Sequence, residues 1–220
     1  MEDYTLRFDA ILFDVDGTLV HSSPGILGTM EYTFRTMGVD PAQLDLNRYI
    51  GPPLRKTFME VFGDEAKAEQ AVDTYRAYYK VWGQHQCTLF PGVEEMLKTL
   101  KAHGTVLCTA TCKPVPVVTP ILKELGIAGY FDVVGGATMD ERVDDKPSVI
   151  RSVLEQPVTG GRRILMVGDR ADDLLGAGAN ALPAAGVLSG YGSREELERC
   201  DHVFMAEDCE ALVQYILSDQ

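Results

Sequence analysis

The chain has little positive charge and no long apolar run, and both shortages exclude whole classes of protein. Its 20 Lys and Arg residues are outnumbered by 33 Asp and Glu residues, which gives a formal net charge of −13 over 220 residues. Nucleic acids and anionic membranes attract basic surfaces, so neither is an expected partner. No apolar stretch approaches the roughly 20 residues of a membrane-spanning helix. We therefore predict a globular protein that binds neither a nucleic acid polymer nor a membrane.

Cysteine is also scarce and irregularly placed. The five cysteines lie at positions 87, 108, 112, 200 and 209. An odd, scattered set does not predict a disulfide framework and is typical of a reducing compartment. The polar residues 1–9 lack the apolar core of a signal peptide. We therefore expect a cytoplasmic protein. We also expect a monomer or a homodimer, an expectation that is independent of the cysteines.

Short apolar runs alternate with helix-like segments and predict an α/β fold. The runs are unbroken, which is typical of strands buried on both faces of a parallel sheet. We expect strands at 10–13, 106–108, 131–134, 164–167, 184–188 and 202–205. Between the later strands, helices are expected at 92–102, 114–125, 147–155, 171–181, 193–199 and 207–217. The alternation indicates a doubly wound, Rossmann-like and mainly parallel sheet.

Residues 22–85 break this alternation. They contain helix-like stretches at 25–37, 53–62 and 65–82 and no convincing strand. We predict a helical cap inserted after the first strand, with residues 1–21 and 86–220 forming the catalytic core. An insertion at the carboxyl end of a strand is placed to cover a site in the crevice there.

Two acidic clusters follow predicted strands. Asp14 and Asp16 stand in Phe13-Asp-Val-Asp-Gly-Thr, where one acid can act as nucleophile and the other as general acid or base. An Asp-rich turn that ends the strand is the alternative. Asp169 follows Gly168 and is suited to bind a hard cation. Asp172 and Asp173 follow at a helix start, where acids are favourable in any case; Asp173 is the better candidate for a role in the site.

Two further segments open helices. Thr111 and Cys112 could bind a phosphate through a hydroxyl and backbone N–H groups, although a helix N-cap explains Thr111 equally well. Lys146 also stands at a helix start, where its charge opposes the helix dipole, so a functional reason is favoured over the usual exposed lysine. Cys108 invites a metal-site interpretation, but its place inside an apolar strand favours simple packing.

Together these segments resemble the four motifs of the haloacid dehalogenase-like hydrolase superfamily, and the resemblance covers nearly the whole chain. Residues 168–180 and 186–193 are similar to the branch of phosphoglycolate phosphatases and 5′-nucleotidases. The segment Gly51-Pro-Pro-Leu54 is similar to the cap of the nucleotidase-like members. His21 departs from the pattern, because many relatives carry an acid there, and this weakens any inference about cap-side specificity.

The resemblance implies a mechanism. Asp14 would attack a phosphomonoester and form an aspartyl-phosphate, while Asp16 would protonate the leaving group and later activate water. Mg²⁺ would be held by Asp14, the Asp16 carbonyl and Asp169. Thr111 and Lys146 would hold the transferring phosphoryl oxygens, and Asp173 would orient Lys146 or a metal-bound water. Apart from the resemblance, Cys112 could lend a backbone N–H to the phosphate, and Arg55 could reach the substrate from the cap. For Arg55 a solvated helix face is the simpler interpretation.

The substrate stays open at this point. An acid at Asp16 favours a phosphoester over a haloacid, because a halide leaving group needs no proton. A nucleoside 5′-monophosphate and 2-phosphoglycolate are the main candidates, and nothing supports a sugar-phosphate mutase. A phospho-acceptor signalling domain or a non-catalytic scaffold is the alternative of another class, although Asp16 and the insertion count against the first.

Overall fold

The computed structural model describes residues 6–140 and 142–218, which form two compact units. The core unit comprises the chain up to Val20 and from Leu89 onward, and the helical unit is His21–Thr88. The predicted insertion, residues 22–85, begins one residue later and ends three residues earlier than the helical unit.

The core unit is built on a parallel sheet, as the sequence predicts. Its strands lie in the order β5-β4-β1-β6-β7-β8, and every neighbouring pair is parallel. The strands are β1 (Ala10–Phe13), β4 (Val106–Pro114), β5 (Val133–Ala137), β6 (Ile164–Gly168), β7 (Ala184–Val187) and β8 (Phe204–Ala206). Two short strands, β2 (Val20–His21) and β3 (Thr88–Leu89), pair separately.

Helices connect these strands within the core unit. They are α4 (Val93–Ala102), α5 (Val115–Glu124), α6 (Lys146–Leu154), α7 (Ala171–Ala179), α8 (Arg194–Glu198) and α9 (Cys209–Leu217). All four residues of β1 are buried, because the sheet is covered on both faces. The doubly wound α/β fold is therefore confirmed.

The largest difference from the predicted elements is the length of β4. The apolar run suggests a strand that ends at Cys108, but β4 continues through Pro114. Thr109 and Thr111 are polar, yet both are buried, and their backbones pair with Val134 and Gly136 of β5. The strand is longer than predicted because its backbone pairs with β5, and the apolar pattern does not predict that pairing.

The helical unit contains α1 (Ser23–Thr36), α2 (Leu54–Phe62) and α3 (Glu65–Val81). Its interior is aromatic: the rings of Phe34 and Phe58 meet edge to face at 5.6 Å, and those of Tyr75 and Tyr79 stack at 5.5 Å. Aromatic pairs at these distances add to the stability gained by burial. The apolar side of α3 therefore packs within this unit.

Candidate active site

The topology brings the first and last motifs together. The strand β1 lies between β4 and β6, and the chain reverses its direction across the sheet at this point. Asp14 follows β1 and Asp169 follows β6, and the backbone N–H of Asp14 donates to the carbonyl of Val167 at 2.9 Å. Ligand sites of open α/β sheets lie at such a switch point, outside the carboxyl ends of the strands.

Lys146 links two of the predicted acids. Its Nζ lies 2.7 Å from Asp14 Oδ1, 2.7 Å from Asp173 Oδ1 and 2.9 Å from the carbonyl oxygen of Ala110. It is the first residue of α6, and the side chain of the preceding Asp145 caps that helix by accepting from the N–H of Ser148. The three predicted residues thus form one buried cluster.

This cluster shifts the acid–base behaviour of its members. Burial raises the pKa of Asp14 to about 6, although the charge of Lys146 acts in the opposite direction. Burial also opposes the charge of Lys146, but Asp14 and Asp173 outweigh it and raise the lysine's pKa well above its usual value. Such perturbed groups in a crevice are typical of active sites.

Asp169 is enclosed by groups that fix its carboxylate. The hydroxyl of Thr18 donates to Oδ1 at 2.9 Å, and the N–H of Tyr191 donates to Oδ2 at 2.8 Å. A Cβ at Gly17 or Gly190 would lie 2.3 Å from an atom of Asp169, so both positions need glycine. Burial, with the charges of Asp173 and Asp14, raises the pKa of Asp169 to about 8.

The acids converge closely enough to bind a cation. One carboxylate oxygen from each of Asp14, Asp169 and Asp173 lies within 4.8 Å of the other two. These are hard oxygen donors, which Mg²⁺ prefers. The three carboxylates stand against the single ammonium group of Lys146, a formal excess of two negative charges that a divalent cation would neutralise.

Asp16 makes a contact that sequence reasoning did not anticipate. The Nζ of Lys113 lies 3.0 Å from its Oδ1 and 2.9 Å from its Oδ2. Both side chains are largely buried, at 9% exposure for Lys113 and 17% for Asp16. Lys113 thus brings a second, largely buried cation to these carboxylates.

The N-cap interpretation of Thr111 is wrong. Thr111 lies within β4, and the N-cap residue of α5 is Pro114, which makes no side-chain capping bond. The Thr111 hydroxyl is buried and accepts from the N–H of Lys113 at 3.1 Å. Burial raises the pKa of the adjacent Cys112 thiol to about 12. Roles for Thr111 and Cys112 at a phosphate remain predictions.

The structure also shows the surroundings of Cys108 and Arg55. Cys108 is fully buried in β4 and packs in the core, as expected. Arg55 is ion-paired within the helical unit, at 2.6 Å from Glu65 and 3.2 Å from Glu69. Its role toward a substrate stays a prediction.

Sequence reasoning overlooked three contributors to the site: Lys113, Thr18 and the backbone of Tyr191. Lys113 could have been noticed as a charge two residues beyond Thr111, on a strand that is otherwise uncharged. The Thr18 hydroxyl belongs to the Asp-Gly-Thr turn, so its proximity to an acid was within reach. Nothing in the sequence marks the N–H of Tyr191, because any residue offers one.

Comparison with known proteins decides the family. The family model described as haloacid dehalogenase-like hydrolase matches residues 11–187. The chain belongs to this family. A similar protein, named 5′-nucleotidase, from Pseudomonas aeruginosa is 36% identical over 99% of this chain and 100% of its own length. A phosphoglycolate phosphatase from Vibrio vulnificus is 29% identical over 94% of this chain and 95% of its own length.

A solved structure supports the same assignment. The crystal structure of a predicted phosphatase from Clostridium acetobutylicum has a TM-score of 0.86 and 34% identity, over 96% of this chain and 98% of that one. The predicted enzyme class, a hydrolase of phosphoric monoesters, is thereby confirmed for this haloacid dehalogenase-like protein. Among residues 6–140 and 142–218, no helix has the length and apolar character to cross a membrane.

Proposed function

We propose that the protein is a Mg²⁺-dependent phosphatase that hydrolyses the phosphomonoester of a small metabolite through an aspartyl-phosphate on Asp14. The observation that carries this proposal is the buried cluster in which Lys146 lies 2.7 Å from Asp14, with Asp169 and Asp173 oxygens nearby. A carboxylate nucleophile beside a buried cation and a cation-binding acid set suits phosphoryl transfer, which depends on positioning and charge neutralisation.

The cofactor fits the donor set. Asp14 and Asp169, with the Asp16 backbone carbonyl, would hold Mg²⁺, and the excess negative charge of the cluster favours a divalent cation. When bound, Mg²⁺ would supply charge neutralisation at the phosphoryl oxygens. Asp173 accepts from the N–H of Arg170 at 3.0 Å and pairs with Lys146, so its proposed role is to orient that lysine.

The chain's own residues account for the proton movements. A carboxylate oxygen of Asp14 forms a bond to phosphorus as the bond to the leaving oxygen breaks, and Asp16 gives its proton to that oxygen. Asp16 then takes a proton from water, whose oxygen attacks phosphorus and releases phosphate and free Asp14. Lys146 and Thr111 would hold the transferring phosphoryl group.

The first experiment measures phosphate release from p-nitrophenyl phosphate with and without Mg²⁺. We expect Asp14→Asn to abolish activity, because the amide is not a nucleophile, and we expect chelator to do the same to the wild type. Asp172→Asn is the matched control. It makes the same substitution at an aspartate that is exposed and lies beside Asp173 at the start of α7. Equal activity of the Asp14 variant and the wild type would exclude Asp14 as the nucleophile.

For the substrate we propose a nucleoside 5′-monophosphate, with 2-phosphoglycolate as the alternative. Support comes from the relative named 5′-nucleotidase, which matches along its whole length. A screen of nucleotides, sugar phosphates and 2-phosphoglycolate by kcat/KM decides between them. A clear preference for 2-phosphoglycolate over every nucleotide would overturn the nucleotidase assignment.

The helical unit is proposed to act as a cap that excludes water from the reaction. Its candidate substrate residue is Arg55, which the nearby Glu65 and Glu69 hold in place. If Arg55 binds substrate, Arg55→Ala raises KM with little change in kcat. The matched control is Arg48→Ala, because Arg48 is likewise exposed and paired with a glutamate, Glu60, at 2.7 Å in the same unit.

A further inference from the structure

Lys113 contacts both carboxylate oxygens of Asp16, the proposed acid–base residue, and its side chain is largely buried. Its Nζ lies within hydrogen-bond distance of both oxygens of Asp16, at 3.0 and 2.9 Å, and the lysine side chain is only 9% exposed. Hydrogen bonds to both oxygens fix the direction of the carboxylate as well as its position. The contact joins residues 97 positions apart in the chain, so it is a product of the fold.

Stability alone does not explain this pair. Removing two charges from water costs about as much as their attraction returns, so buried ion pairs often contribute little to the net stability of a protein. A largely buried lysine is uncommon unless it is paired. A function at Asp16 gives a reason for placing the charge there.

The backbone holds Lys113 in place independently of Asp16. Its N–H donates to the hydroxyl of Thr111 at 3.1 Å, and the pairing of β4 with β5 is irregular between Thr111 and Pro114. A Cβ at Gly136 of β5 would lie 2.6 Å from the Lys113 carbonyl oxygen, so glycine permits this close approach. These contacts therefore fix the backbone of Lys113 in the sheet.

A group that transfers protons must be held close to its productive geometry to be effective. We propose that Lys113 is a positioning residue for Asp16 that holds its carboxylate toward the leaving oxygen and the attacking water. The inference rests on the proposed function, because it assigns to Asp16 the proton transfers described above. Lys113 acts through Asp16 and takes no proton itself.

A double-mutant cycle tests this coupling. The four enzymes are the wild type, Lys113→Met, Asp16→Asn and the double variant, and the measured quantity is kcat/KM for phenyl phosphate. Phenolate is a poorer leaving group than nitrophenolate and needs a proton as it leaves, so kcat/KM for this ester reports the proton transfer by Asp16. We expect Lys113→Met to lower kcat/KM about tenfold in the wild-type background and to cause no further loss in the Asp16→Asn background. A coupling of this size is in the range found for contacting residues.

Two more variants separate positioning from folding. Lys113→Arg keeps the cation and should recover most of the loss. Lys101→Met is the matched control: Lys101 Nζ lies 3.0 and 2.8 Å from the two oxygens of Asp132, which is the same geometry outside the site, and its loss should leave kcat/KM unchanged. Thermal unfolding of each variant verifies that it is folded.

The results that would overturn the inference are distinct from those that would overturn the proposed function. An active wild type with an equally active Lys113→Met variant refutes the role of Lys113 alone. So does the same loss in both backgrounds, because it would mean that Lys113 acts independently of Asp16. A wild type that releases no phosphate from any ester refutes the proposed function, and the inference falls with it.

Discussion

Replacing Gly176 by alanine tests how tightly α7 packs against the Cβ and Cγ atoms of Lys146. In a helix interior, alanine is more favourable than glycine by about 1 kcal/mol, so the substitution would ordinarily stabilise the protein. At this position, however, the new Cβ would lie 2.6 Å from Cγ and 3.1 Å from Cβ of Lys146. Lys146 cannot swing aside, because its Nζ is held by Asp14, Asp173 and the Ala110 carbonyl.

Gly178 supplies the matched comparison in the same helix. An alanine Cβ there would meet nothing within 4 Å, so Gly178→Ala should gain the full helix preference of about 1 kcal/mol. Overpacking a filled interior typically costs about 1–3 kcal/mol, so Gly176→Ala should be less stable than Gly178→Ala by about that amount. The two substitutions are chemically identical, and only the space around them differs.

Urea unfolding measures the stability difference, and phosphate release measures its effect on the site. We expect Gly176→Ala to lower kcat, because it displaces Lys146 from Asp14, and Gly178→Ala to leave kcat unchanged. If both variants gain the same stability and keep full activity, the packing of α7 against Lys146 described above is wrong.

Two further predictions concern buried groups. In chelator, Lys146→Met should lower the free energy of unfolding by about 3–5 kcal/mol, because two buried carboxylates lose their partner; Lys101→Met, which breaks a partly exposed pair, should lower it by less than about 1 kcal/mol, and equal losses in urea titrations would contradict the role of burial. At pH 8, burial leaves about one part in 10⁴ of Cys108 and Cys112 as thiolate, since the pKa of each is raised to about 12. Mass spectrometry after iodoacetamide treatment should find both unmodified in the native protein and all five cysteines modified in urea, and rapid native modification of Cys112 would show that its strand is more open than described.

Some residues of the candidate site can be predicted from the sequence alone, and others cannot. Asp14 and Asp169 could be predicted because each directly follows an apolar strand, and parallel strands bring their carboxyl ends to one edge. Lys146 could be predicted because a lysine at a helix start opposes the helix dipole. The position of Thr111 within a strand could not be predicted in the same way, because it depends on the pairing of β4 with β5.

The sequence by itself predicted the sheet, the family and the acids of the candidate site, because apolar runs and short motifs are local properties of the chain. Only the tertiary structure decided which groups surround those acids. The pairing of Lys113 with Asp16 spans 97 positions, and the bond from Thr18 to Asp169 spans 151. No local pattern encodes such contacts, since they arise only when strands from distant parts of the chain lie side by side.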